Sequence, residues 1–132
     1  MFIEFKKSGV SAVGSISAEI SLPVRPLFNT SVVYRFVESE VQCVGGLLNY
    51  DDGSQDMLNV WFPKNLTEGK HRVAAYTGFL RNLTGIPKIY SLNGEVELEK
   101  TGEINHLVGS FNLHGSDITV VGRFDVKGID QP

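Results

Sequence analysis

The chain has little cysteine, no long apolar run and no excess of positive charge, and each scarcity excludes a class of protein. Cys43 is the only cysteine, so no internal disulfide can form and nothing marks an oxidising compartment. No stretch approaches the roughly 20 apolar residues of a membrane-spanning helix. The net charge is -3, from 12 Lys and Arg against 15 Asp and Glu. Without a large positive field, the sequence predicts no nucleic-acid partner.

The sequence also lacks a recognisable leader and any catalytic or cofactor motif. The first residues, Met1 to Lys7, alternate apolar and polar like a strand and contain no apolar run behind a basic segment. This favours the cytoplasm, with an extracytoplasmic location as the alternative if a leader has been removed. Because no nucleophile elbow, phosphate loop or dinucleotide fingerprint occurs, the sequence predicts no cofactor and no catalytic residue.

Glycine, by contrast, is abundant, and four of the 14 glycines recur in one seven-residue phrase. The phrase places apolar residues at alternate positions around a glycine, and its copies are residues 12–18, 92–98, 107–113 and 120–126. Alternation with period two predicts strands that bury one face, and each glycine falls on that buried face. The phrase therefore predicts a sheet that bends. We expect function to lie elsewhere, in the middle of the chain.

Nearly every segment has the pattern of a short strand followed by turn residues. We predict one continuous strand from Ser31 to Val44 that ends at Gly45–Gly46, and a hairpin around residues 51–53. A further strand is predicted from Lys70 to Thr77, and a loop or single helical turn from Gly78 to Pro87. The sequence thus predicts one all-β domain over residues 1–132, an antiparallel β-sandwich or small β-barrel of eight or nine strands.

The last third of the chain predicts a three-strand meander with a defined register. A two-residue turn at Gly102–Glu103 would place Leu98 opposite Leu107. The next turn, at residues 116–117, would set large rings over glycines, an arrangement that rescues glycine in curved sheets. The predicted pairs are Gly94 with Phe111, Gly122 with Phe111, and Gly109 with Phe124.

The same half of the chain carries a resemblance to known proteins. The residues that carry it are Gly69–Tyr76, Tyr90–Val96, Gly109–Phe111 and Gly122–Val126. Together they resemble the end of small uncharacterised all-β domains found in bacterial lipoproteins. The resemblance implies an all-β fold and supplies no catalytic residue. Those domains follow a signal peptide and a lipidated cysteine, and both are missing here.

Three sets of titratable residues invite a metal or acid–base interpretation: His71, His106 and His114; Asp51, Asp52 and Asp56; and Glu95, Glu97 and Glu99. The two histidines that share a strand lie about 26 Å apart, too far to bind one ion. The aspartates lack the spacing of a calcium loop, and a turn is the commoner use of such residues. The glutamates have no apolar neighbours on their face, which favours a solvated surface. We therefore predict no metal site.

Aromatic residues offer the better candidate site. In the strand at residues 57–62, alternation puts three apolar residues on one side and Met57, Asn59 and Trp61 on the other. Trp61, the only tryptophan, is therefore either an exposed ring that could stack on a sugar or anchor a partner, or a core residue covered by a second layer. The second interpretation is the more common one for a tryptophan.

The first functional interpretation is a non-catalytic binding module for another protein or a small ligand. Its candidate ligand contacts are Trp61, Asn59, Met57, Tyr50 and Tyr76. One alternative is a hydrolase of unknown class with a site built by loops. Another is a structural subunit of a homo-oligomer that pairs through strand edges.

The hydrolase alternative would draw on His71, Asp51 and Asp56, which carry the acid and base groups of the middle of the chain. A pocket where these groups converge would favour the enzyme, a shallow aromatic patch the binding module, and a large interface at a strand edge the oligomer.

Overall fold

The computed structural model describes residues 10–65, 68–83, 85–103 and 105–128, so the predicted strand at Met1–Lys7 lies outside the described residues. The described part contains eleven strands and no helix. The strands are β1 Val10–Ile20, β2 Leu27–Thr30, β3 Val33–Glu38, β4 Val41–Asn49, β5 Gln55–Pro63, β6 Gly69–Arg72, β7 Gly78–Leu83, β8 Ile86–Ser91, β9 Asn93–Glu99, β10 His106–His114 and β11 Thr119–Gly128. The all-β prediction is confirmed. No helix in these residues has the length and apolar character needed to cross a membrane.

The strands form two antiparallel sheets that do not close into a barrel, as expected for a β-sandwich. The six-stranded sheet has the order β6-β9-β10-β11-β1-β2, and the five-stranded sheet the order β3-β4-β5-β7-β8. Strand β1 joins the two, because residues 10 and 11 pair with β3 while residues 12–20 pair with β11. Gly14, with φ 134°, lies just after this change of partner, where a residue with a side chain would be strained.

The main core lies between the inner faces of the two sheets. Three phenylalanine rings cross it: Phe62 of the five-stranded sheet stacks on Phe124 at 6.3 Å, and Phe124 stacks on Phe111 at 6.2 Å. All three rings are buried. Because one of these rings comes from the five-stranded sheet and two come from the six-stranded sheet, the stack fixes how the two sheets face each other.

The predicted meander is present, with one register correct and the other displaced. Strands β10 and β11 pair as predicted, with Phe111 opposite Gly122 and Gly109 opposite Phe124. Between β9 and β10, however, Leu98 lies opposite Gly109 rather than Leu107, and Gly94 lies opposite Leu113. The prediction is wrong by two residues because β9 ends at Glu99 and β10 begins at His106, which leaves more than a two-residue turn between them. The inward and outward faces are unaffected, since a shift of two preserves alternation.

The predicted strand from Ser31 to Val44 is in fact a hairpin of two strands. It turns after Glu38 at Ser39, whose φ of 57° is left-handed. Strand β4 then continues through Gly45 and Gly46 instead of ending there. The glycines serve packing: a Cβ on Gly45 would meet the ring of Tyr34 at 2.4 Å, so the ring occupies the space of the missing side chain.

Two further segments differ from prediction, whereas the hairpin of β4 and β5 around residues 51–53 is confirmed. Strand β6 is short, Gly69–Arg72, and residues 73–77 form a loop. Residues 78–83, predicted as a loop or helical turn, form strand β7. The sequence did not show the alternation of a strand there, because Arg81 occupies the buried position two residues after Phe79, where an apolar residue would be expected.

Replacing Gly122 by Val is expected to destabilise the protein by about 1–3 kcal/mol, because added atoms force strain in a well-packed site. A Cβ at Gly122 would lie 2.2 Å from the carbonyl oxygen of Ser17 and 2.7 Å from the Cα of Ala18, so the backbone itself must shift. Urea denaturation followed by circular dichroism measures the loss. The exposed Thr119→Val on the same strand is the control. Equal unfolding midpoints for both variants would contradict the close approach of β11 and β1.

Candidate binding groove

The aromatic candidate site is buried. Trp61 and Met57 are each 5% exposed and Asn59 is 0% exposed, on the outer face of the five-stranded sheet. The ring of Trp61 stacks on Phe36 at 6.0 Å, in a small cluster that is separate from the main core. The exposed interpretation of Trp61 is therefore wrong. These three side chains offer almost no surface to a ligand.

The polar groups of this cluster are only partly satisfied. The hydroxyl of Tyr34 donates to Oδ1 of Asn59. Burial raises the pKa of this hydroxyl well above its ordinary value, and the neighbouring Cys43 adds to the effect. Among the described residues, no acceptor reaches Nδ2 of Asn59 or Nε1 of Trp61. The loop at residues 73–77 packs beside them, since Ala74 N donates to Trp61 O at 2.7 Å.

Cys43 belongs to the same cluster and is completely buried. Burial raises the pKa of its thiol well above the ordinary range, against the opposing effect of a hydrogen bond with the Val60 backbone. A buried neutral thiol is unreactive. The interpretation of Cys43 as a small buried hydrophobe is thus confirmed.

The fluorescence of Trp61 reports directly on this cluster, because the chain has no other tryptophan. We expect emission shifted to the blue and protected from acrylamide in the native protein, with both properties lost on unfolding. N-acetyltryptophanamide in the same buffer provides the exposed reference. Native quenching as strong as that of the reference would contradict the burial of Trp61.

Tyr50 and Tyr76, the other two predicted contacts, are not part of this cluster. Tyr76 is 49% exposed in the loop after β6, and its φ is 74°. Tyr50 is half-buried at the end of β4, where the guanidinium of Arg25 lies over its ring at 3.8 Å. The structure therefore does not bring the five predicted residues together into one site.

Tyr50 instead joins a buried ion pair that sequence analysis missed. Arg81 contacts Asp56 through two hydrogen bonds of 2.9 Å, from Nε to Oδ1 and from Nη2 to Oδ2. Tyr50 donates to the same Oδ2 at 2.8 Å. Burial acts to lower the pKa of Arg81, but the hydrogen bond and charge of Asp56 raise it. The pKa of Tyr50 is raised to about 12, by burial and by Asp56.

This ion pair holds a loop in place. Arg81 also donates to the carbonyl oxygens of Val24 and Arg25, so it ties the loop before β2 to the five-stranded sheet. Asp56 is 0% exposed and both its oxygens accept hydrogen bonds from Arg81. It is therefore inaccessible to a substrate. His71 lies on β6 of the six-stranded sheet, whereas Asp56 lies on β5 of the five-stranded sheet.

The neighbouring Asp52 caps the turn of the β4–β5 hairpin. Its carboxylate accepts hydrogen bonds from the side chain and backbone N–H of Ser54 and from Arg25. The bonds from Ser54 contribute most to lowering the pKa of Asp52, which falls to about 2. Asp52 thus serves the turn itself.

The depressed pKa predicts how stability depends on pH. Because the folded pKa of Asp52 lies below the unfolded value of about 4, its contribution is complete above about pH 4 and is lost as pH falls towards 2. Asp52→Asn should therefore lose less stability than the wild type between about pH 4 and 2. Thermal unfolding at several pH values measures the slope. Parallel profiles for the two proteins would show that Asp52 does not contribute.

The widest polar surface lies on the outer face of the six-stranded sheet. Two adjacent rows of outward side chains cross all six strands. The first row is Lys70, Glu97, Ser110, Arg123, Ser17 and Asn29, and the second is Arg72, Glu95, Asn112, Val121, Glu19 and Leu27. With five spacings of about 4.8 Å, the rows extend for about 24 Å.

Three shallow depressions follow these rows and merge into one surface, which we call the cross-strand groove. Their volumes are about 480, 270 and 460 Å³. The first and second share Glu95 and Asn112, and the second and third share Val121 and Gly122. The depressions are therefore continuous from β6 to β2.

The glycine phrase contributes to the shape of this groove. Gly122 lines two of the depressions and Gly94 lines the third. At both glycines a Cβ would lie within 2.2 Å of a carbonyl oxygen on the neighbouring strand, so adjacent strands approach closely there. Strands that carry the glycine phrase therefore also line the groove.

Charged side chains of both signs lie along the groove. Lys70 lies opposite Glu97 and Arg72 opposite Glu95, and Arg123 contacts Glu99 at 3.3 Å. The one aromatic residue among the lining residues, Phe111, has its ring buried in the phenylalanine stack. The groove thus offers both hydrogen-bond donors, from Lys and Arg, and hydrogen-bond acceptors, from Glu.

Sequence analysis placed the outward glutamates on a solvated strand face, and they are exposed. Sequence analysis did not show which other strands lie in the same sheet as these glutamates. Strands β6, β1 and β2 join that sheet only through pairing between segments that are distant in sequence.

Within the described ranges, no group of three or more His, Cys, Asp and Glu side chains is arranged to hold a metal ion. Comparison with known proteins finds no matching family model, no matching curated protein and no matching solved structure. The resemblance to all-β domains of bacterial lipoproteins stays a prediction, and the geometry alone supports the functional argument.

Proposed function

We propose that this protein is a non-catalytic binding module that receives its ligand in the cross-strand groove. The observation that carries the proposal is the continuity of three depressions across all six strands of one sheet. Strands hold their side chains at fixed positions, so a groove built on them is largely preformed and binding costs little ordering. This proposal replaces the buried face of Trp61 as the binding surface.

The oligomer hypothesis finds less support at the strand edges. Strand β8, at the end of the five-stranded sheet, carries Pro87 and Lys88, and both residue types oppose pairing with another strand. The edges of the six-stranded sheet, β2 and β6, have only 4 residues each. Short, charged or proline-containing edges are features by which proteins avoid edge-to-edge association.

A pair of matched variants tests the proposal. Val121→Arg places a long side chain in the middle of the groove, whereas Val32→Arg adds the same side chain to a turn between β2 and β3. Both valines are exposed, at 48% and 58%, so neither substitution disturbs the core. The protein is titrated with a mixture of small-molecule, oligosaccharide and peptide probes and followed by two-dimensional NMR. We expect a bound probe to shift amide signals along the groove. The perturbation should disappear in Val121→Arg and remain in Val32→Arg.

Binding that persists in Val121→Arg, or that maps to the outer face of the five-stranded sheet, would contradict the proposal.

A further inference from the structure

We infer that the ligand of the cross-strand groove is an uncharged polyhydroxylated chain, that is, a neutral oligosaccharide; this inference rests on the proposed function. The juxtaposition that carries it is a balanced set of hydrogen-bond donors and acceptors along two rows, in which Val121 and Leu27 are the only aliphatic side chains.

The charge of the groove excludes strongly charged ligands. Its two rows contain three cationic and three carboxylate side chains, so neither sign is in excess: Lys70, Arg72 and Arg123, with Glu19, Glu95 and Glu97. A polyanion would meet the carboxylates and a polycation would meet the guanidinium and ammonium groups. Neither ligand would find a field of one sign. An uncharged ligand avoids both repulsions.

The hydrogen-bonding groups suit hydroxyls. Ser17, Asn29, Ser110 and Asn112 add hydroxyl and amide groups between the charged side chains. A hydroxyl both donates and accepts, so it can donate to a carboxylate and accept from a neighbouring guanidinium or amide. A chain of hydroxyls can therefore use both the donors and the acceptors of the groove along its length.

A peptide fits this surface less well. Val121 and Leu27 are the only aliphatic side chains of the two rows, and both lie in the second row on either side of Glu19. Extended peptides are bound by a free strand edge or by pockets for alternate side chains, whereas the groove crosses the face of a sheet, perpendicular to its strands. The groove depressions are shallow, so a peptide side chain would have no deep anchor.

The same composition predicts weak binding. No exposed phenylalanine, tyrosine or tryptophan ring lines the three depressions, so a sugar has no such ring to stack on and affinity must come from solvent-exposed hydrogen bonds. We expect dissociation constants in about the millimolar range. Asn112→Ala, at the junction of two depressions, should weaken binding about five-fold by removing one hydrogen-bonding group.

The experiment titrates the full chain with three sets of probes, followed by two-dimensional NMR: neutral oligosaccharides of glucose, mannose, xylose and N-acetylglucosamine, a sulfated oligosaccharide, and an uncharged extended peptide. We expect saturable shifts at groove amides with at least one neutral oligosaccharide. The affinity should change little between about 50 mM and 200 mM salt, a range over which the affinity of charged ligands falls steeply. It should be lost in Val121→Arg and retained in Val32→Arg.

Groove shifts with the sulfated probe or the peptide alone would overturn the ligand class and leave the binding module standing. If no probe of any class shifts the groove amides, both the inference and the proposed function fail.

Discussion

Replacing Asp56 by Asn is expected to lower the free energy of unfolding by about 3–5 kcal/mol, because it leaves the guanidinium of Arg81 buried without its counter-charge. Arg81 is 4% exposed and Asp56 is 0% exposed, so water cannot replace the lost carboxylate. Tyr50 and the loop before β2 depend on the same pair. Denaturant unfolding, followed by circular dichroism, measures the change.

The matched control removes a charge from an exposed pair. Glu99 contacts Arg123 at 3.3 Å and both side chains are more than half exposed, at 55% and 57%. Glu99→Gln should therefore cost less than about 1 kcal/mol. If the two variants lose similar free energies of unfolding, the buried pair of Asp56 and Arg81 contributes no more to stability than the exposed pair of Glu99 and Arg123.

Replacing Phe124 by Ala is expected to destabilise the protein by about 3–5 kcal/mol, the usual cost of deleting a buried aromatic ring. Phe124 is 1% exposed and stacks on rings from both sheets, Phe62 at 6.3 Å and Phe111 at 6.2 Å. Its ring also fills the space above Gly109, where a Cβ would lie 3.1 Å from Cζ. Truncation thus empties the centre of the sandwich.

Phe124→Leu keeps most of the apolar volume and should cost clearly less than Phe124→Ala, because the residual cavity is smaller. Both are measured by urea unfolding at one pH. Equal losses for the two variants would mean that ring stacking rather than cavity volume dominates. A loss below about 1 kcal/mol for Phe124→Ala would contradict its place in the core.

The alternation of apolar and polar residues was sufficient to predict to which face of a strand a side chain points. Alternation separated Trp61 from Val60 and Phe62, and the structure keeps them on opposite faces of β5. The register of β10 and β11 also followed from sequence, since a short turn leaves the two strands little freedom. The register of β9 and β10 did not follow, because the longer connection between Glu99 and His106 permits more than one pairing of the same faces.

Local pattern was insufficient wherever both faces of a strand are covered. Strands β4 and β5 are buried at nearly every position, so the polarity of a neighbour such as Asn59 did not indicate that Trp61 is exposed. Strand β7 was predicted as a loop because Arg81 is charged and its partner, Asp56, lies 25 residues away in the sequence. An inward arginine is stable only when a carboxylate reaches it, and the tertiary structure alone supplies that contact.

The sequence by itself determined an all-β chain, the faces of its strands and the glycines at which its sheet bends. Only the tertiary structure decided which strands are neighbours, and therefore that outward residues of β6, β9, β10, β11, β1 and β2 form one groove. The physical reason is that alternation is a property of one strand, with a period of two residues. The order of strands instead depends on how the whole chain buries a common core, through pairs as distant as Ala12 and Gly128.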